Sequence, residues 1–333
     1  MMLLRRLFLP CVAGVLSACT AVGPDYVQPE SPLGPDWYKA EFERYDTDVE
    51  QQVHWWKTLG DPVLDNLIDL AHQQNNNLQI AGLRVLESRA QLGIATGSKY
   101  PQAQVVVGDA TAVQGSENAA NTAAGDLSYT QYNIGVGASW EIDFWGKFRR
   151  GIESADAAYL ASVAGYDQVM ILVTAQVCSA YLSVRTLEEQ IRITNDNIAI
   201  QQRSFDIVNV QFENGATSEL DVLQARTLLM ATRATLPALQ TQLYQARNAL
   251  ATLLGMPPSD MSDLLKGSSA IPAVPETVAV GLPADLLRRR PDVRQAEYLA
   301  MAQNAQVGVA EANLYPSFSL TGALGLSAAG NTD

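Results

Sequence analysis

Cysteine and histidine are both scarce, three and two residues in a chain of 333. Cys11 and Cys19 fall within the first twenty residues, which leaves Cys178 alone and excludes an intrachain disulfide framework. The histidines, His54 and His72, do not stand at a metal-ligand spacing, and His54 is expected at the surface or packed against Trp55 and Trp56. No GxSxG, phosphate-loop or CxxC pattern occurs, so the sequence offers no catalytic, metal or cofactor site. Positive charge is short as well. The 22 Lys and Arg stand against 35 Asp and Glu, a formal net charge of −13, which argues against nucleic acid as a partner. Long apolar runs are missing beyond the amino terminus. Without a run of ~18 apolar residues, any further membrane span has to be built from strands.

What is present begins with MMLLRRLFLPCVAGVLSAC. Arg5 and Arg6 precede an apolar run from Leu7 to Leu16, the pattern of a secretory signal too short to span stably. Leu16-Ser17-Ala18-Cys19 resembles a bacterial lipobox, with cleavage before Cys19 and diacylglycerol and N-acyl chains added to that residue. An ordinary signal with an incidental cysteine is the alternative. Several acyl chains make a stable anchor where one does not. Thr20, in place of an inner-membrane-retaining Asp, permits transfer to the outer membrane.

From Tyr129 to Phe144 the chain alternates. One set is Thr130, Tyr132, Ile134, Val136, Ala138, Trp140, Ile142 and Phe144. The other is polar or small apart from Tyr129. Period 2 places the sets on opposite faces of a strand. Sixteen residues is long for a globular strand and suits a tilted membrane strand. Tyr132 and Trp140 are separated by about 26 Å at ~3.3 Å per residue, which matches two aromatic girdles, and Tyr132, Trp140 and Phe144 are the expected girdle residues. One face of a soluble sandwich is the alternative. A weaker alternation at 102–114 and a polar loop at 115–126 make a hairpin, and Ser317 to Ser327 alternates in the same way.

Helices follow. A 3-4 spacing runs from Met170 through Val173, Val177, Ala180, Val184, Leu187, Ile191, Thr194, Ile198, Gln201, Phe205, Val208 and Phe212. A second runs from Val222 through Ala225, Leu229, Thr232, Leu236, Leu239, Leu243, Ala246, Leu250 and Leu253. Sustained 3.5 periods mean helices packing knobs into holes. Between them ENGATSELD supplies a left-handed stop at Gly215 and a capping box from Ser218 to Asp221. Pro237 is expected to bend or interrupt the return helix.

The opening of a long unit is repeated. RAQLGIATGSKYP (89–101) returns as NAQVGVAEANLYP (304–316), with Gln91, Gly93, Ala95, Tyr100 and Pro101 recurring at a constant offset of 215. Each copy leads through Tyr-Pro into an alternating strand.

As a set, CTAVGPDYVQP (19–29), WWKTLGDPVLDNLI (55–68), SWEIDFWGK (139–147), FENGATSELDVLQAR (212–226) and GLPADLLRRRPDVRQAE (281–297) resemble the TolC-like outer-membrane efflux proteins, in their lipoprotein branch. The resemblance implies a mixed α/β membrane protein in the outer membrane. Barrel strands would continue into long periplasmic α-hairpins, with two repeats per protomer. It implies a homotrimer in which each protomer gives four strands to one shared barrel. Its tip would meet a periplasmic adaptor bound to an inner-membrane pump of the RND type. The duct is passive, holds no cofactor beyond the lipid on Cys19, and performs no catalysis. Asn214, Gly215, Ala216 and Thr217 match the adaptor-contacting turn, and Asp221 an acidic gate position, its alternative being plain helix capping. Domains follow as signal 1–18, lipidated segment 19–60, first repeat 61–255, equatorial linker 256–283 and the start of a second repeat at 284–333. The expectation is a fragment or truncated frame lacking a fourth strand, a second hairpin and the gate partners, on the order of 140 residues. Such a chain by itself is expected to misassemble, because lipid does not satisfy open sheet edges. A periplasmic adaptor lipoprotein is the runner-up, and the exported compound is not legible.

Overall fold

The computed structural model describes residues 21–29, 45–46, 54–116, 118, 127–268, 270–273, 278–279 and 288–331. The signal, Cys19 and most of the 256–283 linker's second half lie outside the described residues. The elements are β1 (Tyr45–Asp46), a 3-10 turn (Trp55–Leu59), α1 (Pro62–Gln74), α2 (Asn76–Gly97), β2 (Ala103–Gln114) and β3 (Ser128–Ile142). They continue with α3 (Lys147–Glu213), α4 (Glu219–Leu253), β4 (Val278–Ala279), α5 (Pro291–Ala312) and β5 (Phe318–Asn331). Two units divide the chain: Met1–Glu30, Val85–Val163 and Gln295–Asp333 form one, Ser31–Arg84 and Ala164–Arg294 the other.

The first unit is organised by an antiparallel sheet in the order β2-β3-β5. β2 and β5 each begin two residues after the repeated Tyr-Pro, at Ala103 and Phe318, so the offset of 215 is a structural offset too. Residues paired across an antiparallel sheet share a face. Val106, Val136 and Leu324 are one such row, and Gly108, Ile134 and Leu326 the next. β3 ends at Ile142, two residues short of the alternating stretch. Phe144 therefore leaves the strand and packs edge-on against Trp145 and Phe318. Asp143 ends the strand by accepting from the Phe148 and Arg149 amides, which caps α3.

The second unit holds a single core cluster. α1 is capped by Asp61, whose carboxylate accepts from the Val63 and Leu64 amides after a proline at the first helical position. Its apolar positions Val63, Leu64, Leu67, Ile68 and Ala71 bury against Val173, Val177, Tyr181 and Val184 of α3 and Leu250, Ala251 and Leu254 at the end of α4. A buried polar chain crosses this core. The Tyr181 hydroxyl donates to Asp61 at 2.6 Å, Arg185 Nε to the Tyr181 oxygen at 3.1 Å, and Arg185 Nη2 to the Leu265 carbonyl at 2.7 Å. Each polar atom in that chain has a partner, which is what its burial requires. α3 contains an 18-residue window of mean hydropathy 1.4, enough by composition to cross a membrane. The four α3 residues just named belong to the core cluster, so they serve packing instead.

The two heptad seams meet as expected except at Phe212, the last α3 seam position, which is exposed. Along α3, Ile191, Thr194, Ile198, Gln201, Phe205 and Val208 are half-buried among mostly exposed neighbours. All ten seam residues of α4 are buried or half-buried. Arg233 bonds Gln202 and Arg247 bonds Glu188 across the pair. At Pro237, where the sequence left a bend or a break open, α4 runs on without a break. Pro237 is exposed, so the Arg233 carbonyl it leaves without an amide partner faces water.

Candidate functional site

The sheet has two chemically different faces. On one lie Tyr132, Ile134 and Val136 of β3 with Leu320, Leu324 and Leu326 of β5. Tyr132 is 54% exposed, Ile134 62% and Leu324 80%. An apolar surface three strands wide has no use for water on that side. Trp140 lies on the same face beside Leu320, and its indole N–H donates to the Lys99 carbonyl at 3.1 Å. Tyr132 and Trp140 thus sit near opposite ends of the apolar band, and Phe144 just past one end, in the turn.

The other face carries a hydrogen-bonded polar ladder that the alternation only marked as polar or small. Asn133 Nδ2 donates to Asp109 at 3.0 Å, as does the Thr111 hydroxyl at 3.2 Å. Gln131 Nε2 donates to Asn133 Oδ1 and Ser327 Oγ. Pairing of Asp109 with Asn133 and of Asn133 with Ser327 aligns these side chains across all three strands. In the adjoining rows Gly135, Gly137 and Gly325 are small, while Val107 and Val105 of β2 stand exposed beside them.

The hairpin tip is built by its own backbone. Gly215 takes a left-handed φ of 74°, its amide donates to the Phe212 carbonyl, and the Ala216 amide to the Gln211 carbonyl. That pair of bonds is a Schellman stop. Asn214, Gly215 and Ala216 are exposed and Thr217 half-buried. Asp221 is placed in the capping box, with Oδ2 accepting from the Ser218 hydroxyl (2.6 Å), the Thr217 hydroxyl (2.6 Å) and the Ser218 amide (3.0 Å). The Ser218 hydroxyl bond, followed by that of Thr217, pulls the Asp221 carboxyl down to about 2. All three bonds fall on one oxygen. Oδ1 accepts none among the described residues.

Cys19 lies outside the described residues. Cys178 is a free buried thiol, and burial, with Asp65 second, pushes it up to about 11, which leaves it inert. His54 packs edge-on against Trp56. His72 bonds the Thr174 hydroxyl at 2.8 Å, and burial lowers its pKa.

Known proteins share this arrangement. The family described as outer membrane efflux protein matches residues 67–256. Nodulation protein T of Rhizobium leguminosarum bv. trifolii is 32% identical over 95% of this chain and 66% of its own length. A probable outer membrane lipoprotein, SilC of Salmonella typhimurium, is 31% identical over 94% of this chain and 66% of its own. Among solved structures, the outer-membrane channel OprN superposes with a TM-score of 0.81 at 32% identity, covering 92% of this chain and 68% of that one. The chain spans about two thirds of the length of the curated relatives it matches.

Proposed function

The chain belongs to the outer membrane efflux protein family, and from that premise we propose that it forms part of the passive exit duct of a tripartite efflux pump. The observation that carries this reading is the two-faced sheet. Its apolar face suits lipid and its bonded ladder of Asp109, Asn133, Gln131 and Ser327 suits a water-filled lumen. No step of chemistry is needed, because flux is driven by the inner-membrane transporter.

The duct is a homotrimer in this reading. Apolar residues repeat at seven-residue spacing outside the hairpin's own seam, Ile193, Ile200 and Ile207 on α3 and Leu223 and Met230 on α4, with Tyr244 two heptads on past Pro237, and the apolar ones are all exposed. Stripes of that kind are what neighbouring helices cover in an α-barrel. The tip residues Asn214 to Thr217 contact the periplasmic adaptor, and Cys19 carries the lipid anchor in the outer membrane. Asp221 serves as both cap and gate. Its free Oδ1 supports the second role, since capping occupies only Oδ2.

Expression of this sequence in place of the matching segment of a full-length relative, in a Gram-negative host lacking its own duct, tests the reading. The expected result is recovery in the outer membrane, a cross-linked trimer and restored efflux alongside a cognate pump and adaptor. Recovery with inner membranes would favour the adaptor reading instead. A monomer without conductance in the outer membrane would sink the duct.

A further inference from the structure

The described chain starts with a strap. Ala21 to Asp25 runs over the first turn of α3 and the C-terminal half of α5, and the Val22 amide, the Val22, Gly23 and Pro24 carbonyls and Asp25 Oδ1 are all bonded. The Val22 amide donates to the Trp145 carbonyl at 3.0 Å, and Asn304 Nδ2 donates to the Pro24 carbonyl at 2.9 Å. At the centre is Arg150, only 5% exposed. Its Nε donates to the Val22 carbonyl (3.1 Å), and Nη2 to the Gly23 carbonyl (2.9 Å) and Asp25 Oδ1 (2.7 Å). Nη1 donates to Glu153 Oε2 (2.8 Å).

The cleft is shaped for this strap. Gly23 sits at φ +90°, and a Cβ on it would run into the Gly308 Cα. A Cβ on Gly308 would lie 2.8 Å from both the Arg150 Cγ and the Val22 carbonyl oxygen. Gly146, at φ +81°, leaves the place where Ala21 rests. Burying a guanidinium is costly, and the Asp25 side chain is 88% exposed, so charge pairing with it adds little. The fork of donors, matched to two carbonyls of one short segment, secures position instead.

We infer that Arg150 is a positioning residue for the membrane anchor: it clamps Val22 to Asp25 so that the acyl chains enter lipid beside the strand–helix junction of this same chain. The inference rests on the reading of Cys19 as lipidated. Only Thr20 separates Cys19 from Ala21 in the sequence. Trp145, whose carbonyl holds the Val22 amide, belongs to an aromatic cluster at the strand–helix junction. Trp145 stacks on Tyr315 with centroids 4.5 Å apart and donates to the Pro316 carbonyl, and Phe144 meets Phe318 at 5.7 Å. Such groups favour the membrane–water boundary.

The test loads the full chain, expressed in a Gram-negative host, with an alkyne-diazirine fatty acid, then irradiates the membranes and maps the cross-links. Chymotrypsin cleavage after Tyr26 is followed in parallel. The parent should cross-link its own 142–148 or 314–320 peptides and resist cleavage at Tyr26. Arg150→Met should scatter the cross-links and raise cleavage at Tyr26 by about tenfold or more, as expected on losing charge-assisted hydrogen bonds. Arg150→Lys should fall between. Gly23→Ala should release the strap with the sequences of both helices unchanged, which covers the case of Arg150→Met failing to fold. Junction cross-links that survive in Arg150→Met or Gly23→Ala, or that never form in the parent, overturn the inference. An intact mass without acyl groups overturns the lipid reading and the anchor role with it, and the Tyr26 protection then shows separately whether the clamp exists.

Discussion

The two copies of the repeated segment have similar sequences and different surroundings. In α5, Ala305, Gly308 and Ala312 form a buried stripe that receives Arg150 and the strap. In α2 the corresponding Ala90, Gly93 and Gly97 are all exposed, and nothing lies within 4 Å of where a Cβ on Gly93 would be. Tyr315 stacks on Trp145 and is 41% exposed, whereas Tyr100 is 64% exposed. Small residues at 3-4 spacing let another backbone approach closely, but they do not by themselves supply one. The first copy therefore presents a prepared face without an occupant among the described residues. In the trimeric reading a neighbouring helix fills it.

The largest effect expected from breaking this asymmetry is a paired substitution. Gly308→Leu has no room and should cost about 3 kcal/mol or more, with loss of strap docking. Gly93→Leu should leave the chain's thermal midpoint nearly unchanged, yet reduce trimer yield if a neighbour packs there. Equal destabilisation of the isolated chain by both would mean that the stripes are not differently occupied. The alanine pair sharpens the contrast by sign. Gly93→Ala should stabilise by about 0.5–1 kcal/mol through helix propensity. Gly308→Ala should destabilise by about 1–3 kcal/mol, because Arg150 and Val22 must move. Thermal unfolding in detergent reads both.

A smaller difference is expected at the two tryptophans. Each closes a Tyr-Pro entry by donating its indole N–H to a main-chain carbonyl, Trp140 to Lys99 and Trp145 to Pro316. Trp140→Phe should cost about 0.5–1.5 kcal/mol, the net worth of one such bond. Trp145→Phe loses the bond and weakens the stack on Tyr315, roughly 1 kcal/mol further. A Trp140→Phe variant as unstable as Trp145→Phe would show that the first entry is held by more than its hydrogen bond.

How much of this was legible depends on the range of the signal. Periods of 2 and 3.5 are local, so β3, the hairpin of α3 and α4, the Gly215 stop and the Ser218–Asp221 box could be read residue by residue. The repeat exposed the two strand entries. Pro237 does not break α4, because at an exposed position water can take the orphaned carbonyl. The ladder from Asp109 to Ser327 depends on a register between strands nearly 200 residues apart, which no periodicity encodes. Arg150 was missed for the same reason. Gly23, Pro24 and Asp25 stood out as a motif, but their partner lies 125 residues along the chain from Asp25. A short motif with a glycine, a proline and an acid beside a signal cleavage point was the signal available, and it pointed to one half of a contact.

The smallest effects belong to the tip, remote in sequence from both copies, and there the two roles of Asp221 can be separated. Its carboxyl titrates near 2 in the folded chain against ~3.9 unfolded, a depressed value. The stabilisation it brings is therefore complete above about pH 4 and is lost as the pH falls toward 2. Amide exchange at residues 219–223, measured against Asp221→Asn at each pH, should show parent and variant converging in that window. Ser218→Ala removes the capping hydroxyl and should cost about 1 kcal/mol at neutral pH while leaving the charge on Asp221 in place. Asp221→Asn removes the charge and keeps an acceptor oxygen for the box. If the carboxylate only caps, Ser218→Ala should disturb the tip at pH 7 more than Asp221→Asn does, and neither should change conductance. If it also gates, Asp221→Asn should leak current through a well-folded duct and Ser218→Ala should not, because the free Oδ1, and not the bonded Oδ2, is the atom a gate partner would reach.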